Sequence, residues 1–301
     1  MALFDRTYRL LVGKAGGKGV EIGPPLNIAF EVDKTPKEEP NHSTIKIWNL
    51  AKTTREAICE PDLFCALYAG YVEQDGPVLL ASGHILDAWT YFDGPDVITQ
   101  LDILDGGVEY RDTVVSVGYG SGASAKQIIR DIAKQMGLVL YMADSAPDRT
   151  WQHGFSYFGA ARTALHKVVQ GTGLEWSIQN QTLQVLKKGE VSARTGIVLS
   201  SESGLIGYPE RTREGAKEKT DVKTVKGGKK TIEDRQRRTG WRVTSLLMPQ
   251  VNPGDRVKLE SKAVQGWFRA DTVKHSGDLG GDWFTEMDLV DPNSPIKDKK
   301  K

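Results

Sequence analysis

Two similar β passages, far apart in the sequence, are the feature that most constrains the fold of this chain. The first runs from Gly83 to Asp105 and the second from Gly266 to Asp291. Each alternates apolar and polar residues, turns at glycine, and ends on Thr-x-(Leu/Met)-Asp-(Ile/Leu)-x-Asp, the second copy being longer by three residues. Because alternation with a period of two is typical of strands, each passage predicts a strand, a turn and a second strand. The repetition predicts two related β units in one chain.

Length and composition place the chain among ordinary globular proteins of more than one domain. Its 301 residues suffice for two or three cores, and its hydrophobic and charged contents of 39% and 26% are typical. The net charge of +1 argues neither for nor against a nucleic-acid or membrane partner. The sequence has neither an apolar run of about 18 residues nor a basic-then-apolar N-terminus, so we expect no membrane-spanning segment and no secretory signal. Cys59 and Cys65 are expected to be free thiols.

The pattern along the chain predicts three domains and a tail. Residues 1–108 read as about six strands at short spacing, with a Gly/Pro loop at 13–25 and an exposed loop at 33–42. Residues 109–195 form an α/β insert, in which Ser124 caps a helix that Gly137 ends, a second helix covers 159–170, and a hairpin follows. Residues 196–291 return to β, with a charged loop at 211–238. Residues 292–301 predict a disordered basic tail.

The motifs that usually carry chemistry are missing or incomplete. The glycine-rich stretch 118–122 lacks both the lysine of a phosphate loop and the third glycine of a dinucleotide loop. The histidines have no metal-ligand spacing, and no Gly-x-Ser-x-Gly elbow is present. Asp102 with Asp105, and Asp288 with Asp291, are interpreted as exposed turn-capping residues rather than paired catalytic carboxylates. We therefore predict no catalytic residue, no cofactor and no metal site, and a chain that is not an enzyme.

The charged loop is the candidate interaction segment, because eleven basic and five acidic residues lie between Arg211 and Arg238. Such a mixture favours a solvated loop or a protein contact over phosphate binding. The basic residues proposed for this contact are Lys217, Lys219, Lys229, Lys230, Arg235, Arg237 and Arg238.

A family resemblance is carried by the C-terminal third. Its elements are Pro253-Gly254-Asp255, then Gly266-Trp-Phe-Arg, then His275-Ser-Gly277-Asp, then Trp283-Phe-Thr285. In this order they resemble the signature of bacteriophage tail baseplate hub proteins, including the late control protein D family. The middle segment is also similar, so that the resemblance covers roughly residues 80–290. The signature residues, which we expect to be structural, are Pro253, Gly254, Asp255, Gly266, His275, Gly277, Trp283 and Thr285.

The resemblance implies a mainly β fold with an α+β insert, in which two similar small tube-forming β-barrel domains flank an α/β middle domain. It implies a homotrimer with pseudo-sixfold symmetry in the virion tail baseplate, assembled in the host cytoplasm. The implied partners are the sixfold tail tube protein and the threefold central spike, and also the tape measure and baseplate wedge proteins, with genomic DNA only in transit. It favours a contractile tail.

Two other functions remain open from the sequence. One is a peptidoglycan- or carbohydrate-binding module, since the α/β segment is small. Trp89, Tyr91 and Phe92 could stack on sugars or bases, although aromatic residues on long strands are usually expected in the core. The other is an enzyme of unknown class. The paired β unit favours the hub, because neither alternative needs two copies around an insert.

Overall fold

The computed structural model describes residues 5–14, 17, 19–60, 63–73, 76–143, 145–194, 196–214 and 238–292. Within them most residues are in strands and helices are few, so the predicted mainly β class with an α/β insert is confirmed. No helix of these described ranges has the length and apolar content needed to cross a bilayer.

The first part of the chain forms seven strands and one short helix. Alternation drives their packing: in Ile28–Lys34 the side chains of Ile28, Phe30 and Val32 are buried, whereas Glu31 and Asp33 are exposed. The elements are β1 Arg6–Gly13, β2 Gly19–Ile22, β3 Ile28–Lys34, β4 His42–Trp48, α1 Lys52–Ile58, β5 Phe64–Tyr71, β6 Gly76–Asp93 and β7 Asp96–Leu104.

The middle part is the α/β insert. Ser124 Oγ accepts a hydrogen bond from the backbone N–H of Gln127 at 3.3 Å, and Gly137 ends the helix in the left-handed conformation, as the sequence predicts. Asp148, which the sequence does not mark, also accepts from Ser124 Oγ at 2.6 Å. The elements are α2 Gly107–Asp112, β8 Val114–Tyr119, β9 Ala123–Ser124, α3 Ala125–Met136, β10 Val139–Met142, β11 Thr150–Trp151, β12 Phe155–Ala160, α4 Ala161–Val169, β13 Leu174–Gln179 and β14 Thr182–Lys187.

The last part returns to strands, with the segment 215–237 lying outside the described residues. The elements are β15 Ile197–Ser200, β16 Leu205–Glu214, β17 Arg238–Leu246, β18 Arg256–Glu260, β19 Gln265–Asp278 and β20 Trp283–Val290.

The first and last parts repeat one arrangement of five strands. In the first, neighbouring strands follow the order β3-β4-β7-β6-β5, and in the last the order is β16-β17-β20-β19-β18. The chain passes through both sets in the same sequence, so β6 corresponds to β19 and β7 to β20. These last two pairs are the passages whose similarity is visible in the sequence. We call the two sets the first and second β repeats.

A β-bulge lies at the same place in both repeats. In β6, Leu86 is skipped opposite Asp102–Ile103, and in β19 Asp271 is skipped opposite Asp288–Leu289. Bulges bend and twist the strand that carries them. The shared bulge therefore bends both long strands at the same point. In β6 this point follows the part that pairs with β5, and in β19 it follows the part that pairs with β18.

The two repeats differ at one edge and are joined at another. β1 runs antiparallel to β5, whereas its counterpart β15 runs parallel to β18. The repeats are not separate sheets, because β3 of the first pairs antiparallel with β19 of the second, giving one sheet of thirteen strands in the described ranges. Three clusters of buried apolar residues surround this sheet and the insert; Leu247 and Trp283 of the second repeat belong to the cluster of the first.

Several local predictions are wrong. The predicted loop 13–25 contains β2, and the predicted exposed loop 33–42 contains the buried residues Lys34 and Asn41. Lys34 and Asn41 are buried because they contact residues far along the chain, as described below. β15 and α2 are short and have no strong periodic pattern, and the sequence did not indicate them.

Candidate functional site: the signature clusters and the exposed strand edge

The turn Pro253-Gly254-Asp255, which precedes β18, holds the end of the insert. The Asp255 carboxylate is buried and accepts hydrogen bonds from Ser192 Oγ at 2.8 Å and Arg194 Nη1 at 3.1 Å. Its other oxygen accepts from the backbone N–H of Asn252 at 2.9 Å, which closes the turn. A buried carboxylate needs such donors to offset the loss of water. We call Pro253, Gly254, Asp255, Ser192 and Arg194 the insert anchor.

Gly254 is required in the insert anchor by backbone conformation and by space. Its φ is +90°, and a Cβ there would lie 2.6 Å from Leu186 Cδ1 of the insert. Its N–H donates to the carbonyl of Ala270 at 2.7 Å, and its carbonyl accepts from the N–H of Ser192 at 2.7 Å. The glycine thus lets the backbones of the insert and of β19 approach each other closely.

Side chains from the hairpin β13–β14 strengthen this contact. Gln184 Nε2 donates to the carbonyl of Pro253 at 2.9 Å. Arg269 of β19 is almost fully buried and forms an ion pair with Glu175 of β13. Breaking a buried charge pair leaves one charge without compensation. The insert is therefore attached to the second repeat through groups that favour one position.

The first repeat contacts the other side of the same hairpin. Asn41 Nδ2 donates to the carbonyl of Ile178 and to Gln179 Oε1, both at 3.0 Å. The Asp105 carboxylate accepts from the backbone N–H groups of Asn180 and, at 2.9 Å, Gln181. Burial raises the pKa of Asp105 to about 6, and the two amides lower it in part. The interpretation of Asp105 as an exposed turn cap was wrong, because its partner is a hairpin about 75 residues away.

A second cluster lies where β3 meets β19. Phe30 faces Gly277 across the two strands, and a Cβ at Gly277 would overlap the Phe30 ring and come within 2.8 Å of Trp283 Cε3. The rings of Phe30 and Trp283 meet edge to face with centroids 5.1 Å apart. We call Phe30, His275, Gly277, Trp283 and Thr285 the strand junction. It packs the two repeats together.

His275 and Thr285 are the polar members of the strand junction, and both are fully buried. His275 Nδ1 lies 2.9 Å from Thr285 Oγ1, which also accepts from the backbone N–H of Met248 at 2.9 Å. Burial, aided by the nearby charge of Lys34, lowers the pKa of His275 well below its usual value. His275 is therefore a neutral core residue at pH 7.

Lys34 joins the two clusters. Its Nζ donates to Asn252 Oδ1 at 2.9 Å, next to the insert anchor. Burial lowers the pKa of Lys34 to about 8, while the charges of Asp105 and Asp255 oppose the shift.

The remaining predicted residues lie apart from these clusters. Gly266 is the second residue of β19 in its pairing with β18, lies opposite Leu259 and faces the Phe268 ring. Of the candidate interaction loop, Lys217, Lys219, Lys229, Lys230, Arg235 and Arg237 lie outside the described residues, and Arg238 is the first residue of β17.

Two aromatic rings of the insert, those of Trp151 and Tyr157, are covered by cationic side chains. The guanidinium of Arg149 lies 4.7 Å from the centre of the Trp151 ring, and Lys167 Nζ lies 4.7 Å from that of Tyr157. These side chains line one shallow groove. No group of three or more His, Cys, Asp or Glu side chains that could hold a metal ion occurs in the described part of the chain.

One surface is exposed where its counterpart is buried. The half of β6 beyond its bulge has no strand on the side opposite β7, within the described residues. Leu86, Trp89 and Phe92 of this half are 58%, 37% and 76% exposed. The corresponding half of β19 is covered by β3. His275 and Gly277 are buried there, whereas Thr90 and Phe92 at the equivalent positions of β6 are exposed. The sequence repeat gave no sign of this difference.

Comparison with solved structures shows that this fold is that of phage tail proteins. The tail protein of Neisseria meningitidis MC58 superposes with a TM-score of 0.62 at 12% identity, covering 95% of this chain and 99% of that chain. The 43 kDa tail protein of prophage MuSo2 from Shewanella oneidensis gives 0.61 at 12%, with the same coverage. Prophage tail protein gp18 of Listeria monocytogenes EGD-e gives 0.53 at 9%, covering 96% and 95%. Comparison by sequence with curated proteins gives no significant match.

The family follows from a family model described as "Baseplate hub gp41", which matches residues 62–232, more than half of the chain. This chain belongs to the baseplate hub gp41 family. Its role is that of a structural component of a phage tail baseplate.

Proposed function

We propose that three copies of this chain form a ring in the virion that joins the sixfold tail tube to a threefold central spike. The observation that carries the proposal is the repeated order of five strands within one chain. Three chains with two such repeats present six similar units, and similar units in head-to-tail contact can close into a ring. The ring surrounds the channel through which DNA leaves, and the tape measure and wedge proteins are its further neighbours.

The three cores support the predicted division of the chain. We propose that residues 1–108 and 196–291 are the two ring-forming domains, with the insert 109–195 on the periphery. The insert anchor and the Asn41 and Asp105 contacts hold the insert to both repeats. An insert attached in this way acts as a fixed platform for neighbouring baseplate proteins rather than as a tethered module.

The proposed role is structural and non-enzymatic, with assembly in the host cytoplasm. Its support is the family, together with the use of the conspicuous polar residues: Asp255, His275 and Arg269 all contact other parts of the same chain. Sugar binding by the insert is less favoured, because cations lie over the Trp151 and Tyr157 rings that line its groove. A pull-down with peptidoglycan tests that alternative directly.

Light scattering of the purified chain, alone and mixed with the tail tube protein of the same phage, tests the proposed function. We expect a particle of three 33.2 kDa chains and its co-elution with tube protein. A chain that stays monomeric and shows no affinity for the tube protein contradicts the proposal.

A further inference from the structure

We propose that the exposed half of β6, residues 86–93, binds strand β16 of a second copy of this chain as an antiparallel neighbour. This surface deepens the proposed ring and rests on it, because it specifies the contact that joins one chain to the next. The occupant and its register both follow from the pairing of β3 with β19 inside the chain.

The pairing inside the chain shows how the two repeats meet. β20 occupies one edge of β19. The opposite edge is divided between two strands, since β18 pairs with residues 265–269 and β3 with residues 273–278. A strand from the first repeat thus completes an edge that the second repeat leaves open.

The edge of β6 opposite β7 is divided at the same point, but within the described residues only one of its two halves is paired with a strand. β7 occupies one edge, and β5 covers the opposite edge only as far as His84. Beyond this point Ala88 N–H bonds to the side chain of Asp87, its immediate neighbour, at 2.9 Å. Exposed Trp89 and Phe92 follow. A long edge strand with exposed aromatic residues is a site for strand addition.

β16 is the strand that fits this edge. It corresponds to β3, and within the described residues it pairs only with β17. β3 cannot supply the missing strand, because β19 already occupies it. The partner must therefore be the β16 of another copy.

The internal pairing fixes the expected register. Glu31 of β3 pairs with Thr44, which pairs with Asp102, and Glu210 of β16 pairs with Arg242, which pairs with Asp288. Glu31 and Glu210 are therefore equivalent. Since Glu31 lies opposite Ser276, the equivalent contact between copies places Glu210 opposite Tyr91. Two residues along, Thr212 lies opposite Trp89.

Side-chain sizes agree with this register. Inside the chain the large Phe30 lies against Gly277, which has no side chain. Between copies the residue before Glu210 is Pro209, which lies in an irregular stretch of β16 between Ile206 and Glu210, and it comes next to Phe92, so the large ring is supplied by β6. In both contacts one large aromatic ring lies next to a smaller residue. Phe92, 76% exposed in a single chain, would be covered in the ring.

Cysteine cross-linking tests the contact and its register. The double variant Trp89→Cys/Thr212→Cys should oxidise to covalent dimers and trimers on a non-reducing gel. The matched control is Trp89→Cys/Tyr208→Cys, which moves the second cysteine about 10 Å along the strand, allowing for the bulge between Ile206 and Glu210, and should cross-link much less. The single variant Trp89→Cys reports any background from Cys59.

A second variant tests the backbone contact without relying on disulfide formation. Ala88→Pro removes an N–H whose only bond is to its neighbour's side chain, and proline is tolerated on a free edge. We expect the variant to fold, by circular dichroism and thermal melting, but to remain monomeric. Ala88→Val keeps the N–H and should assemble as the wild type does.

The possible results distinguish a failure of the β6–β16 contact from a failure of the proposed trimeric ring. Trimers that do not cross-link through residues 89 and 212, or that survive Ala88→Pro, overturn the β6–β16 contact and leave the ring standing. Equal cross-linking of the Tyr208 control also overturns the register. A wild-type chain that is monomeric at every concentration, with and without tube protein, overturns both.

Discussion

His275 of β19 faces Thr285 of β20, with His275 Nδ1 2.9 Å from Thr285 Oγ1. Thr90 and Thr99 occupy the equivalent positions of β6 and β7 in the first repeat. The two threonine hydroxyls of the first repeat lie 3.3 Å apart. This cross-strand pair thus keeps a side-chain hydrogen bond in both repeats, although a threonine of the first repeat is replaced by His275 in the second. The changed partner lies where β3 covers the strand, and Thr90 lies on the half of β6 that is exposed.

His275 predicts a loss of stability in acid. Its folded pKa lies well below the unfolded value of about 6.5, so its contribution is present above that pH and is lost as the pH falls. We expect wild-type protein to lose more stability between pH 6.5 and 4.5 than His275→Asn, which remains neutral and can still bond to Thr285. Urea unfolding at several pH values measures the difference. The exposed His153→Asn should behave as wild type, and parallel pH profiles for His275→Asn and wild type would refute the assignment.

Gly277 predicts a steric effect at the strand junction. Gly277→Ala should destabilise the chain by about 1–3 kcal/mol, because the added methyl group overlaps the Phe30 ring. Combination with Phe30→Leu should recover part of the loss, which denaturant unfolding of the single and double variants can show. Gly118→Ala is the control, since a Cβ there meets no atom within 4 Å. Equal stability of the two alanine variants would argue against a tight junction.

Local patterns in the sequence account for the long strands, for the helix α3 and for the repeat. Alternation in β6, β7, β19 and β20 is a property of each strand by itself, so it is visible without the fold. The same holds for α3, because Ser124 and Gly137 signal its ends within the chain segment they bound.

The contacts between segments could not be predicted in this way. Lys34, Asn41 and Asp105 have sequence surroundings typical of exposed loops. Asn41 and Asp105 are buried because the insert packs on them, whereas Lys34 is buried where β3 pairs with β19 and its Nζ reaches Asn252. The pairing of β3 with β19 joins residues more than 200 positions apart, and alternation does not specify which strand pairs with which. The signature residues were recognisable as a pattern, but their roles as insert anchor and strand junction came only from the structure.

Asp255 predicts a local effect on the insert. Asp255→Ala leaves Ser192, Arg194 and the N–H of Asn252 without their acceptor, which should lower stability by about 1–3 kcal/mol. The loss should appear first as faster hydrogen exchange in residues 188–194, because the anchor holds that segment. The exposed Glu202→Gln is the control. Uniformly faster exchange over the whole chain, with no excess in this segment, would contradict a specific anchor.

Asp105 predicts a pH dependence of the opposite sign to that of His275. Its folded pKa of about 6 exceeds the unfolded value of about 3.9, so its contribution is fully present below pH 4 and is lost as the pH rises through 6. Relative to Asp105→Asn, wild-type protein should therefore lose about 2–3 kcal/mol between pH 4 and pH 7. Urea unfolding of both proteins across this range gives the difference directly, and comparison with the variant cancels the effect of His275. Asp282→Asn, at an exposed position, should show no such divergence. A wild-type curve that rises relative to Asp105→Asn over the same range would mean that the two hairpin amides outweigh burial.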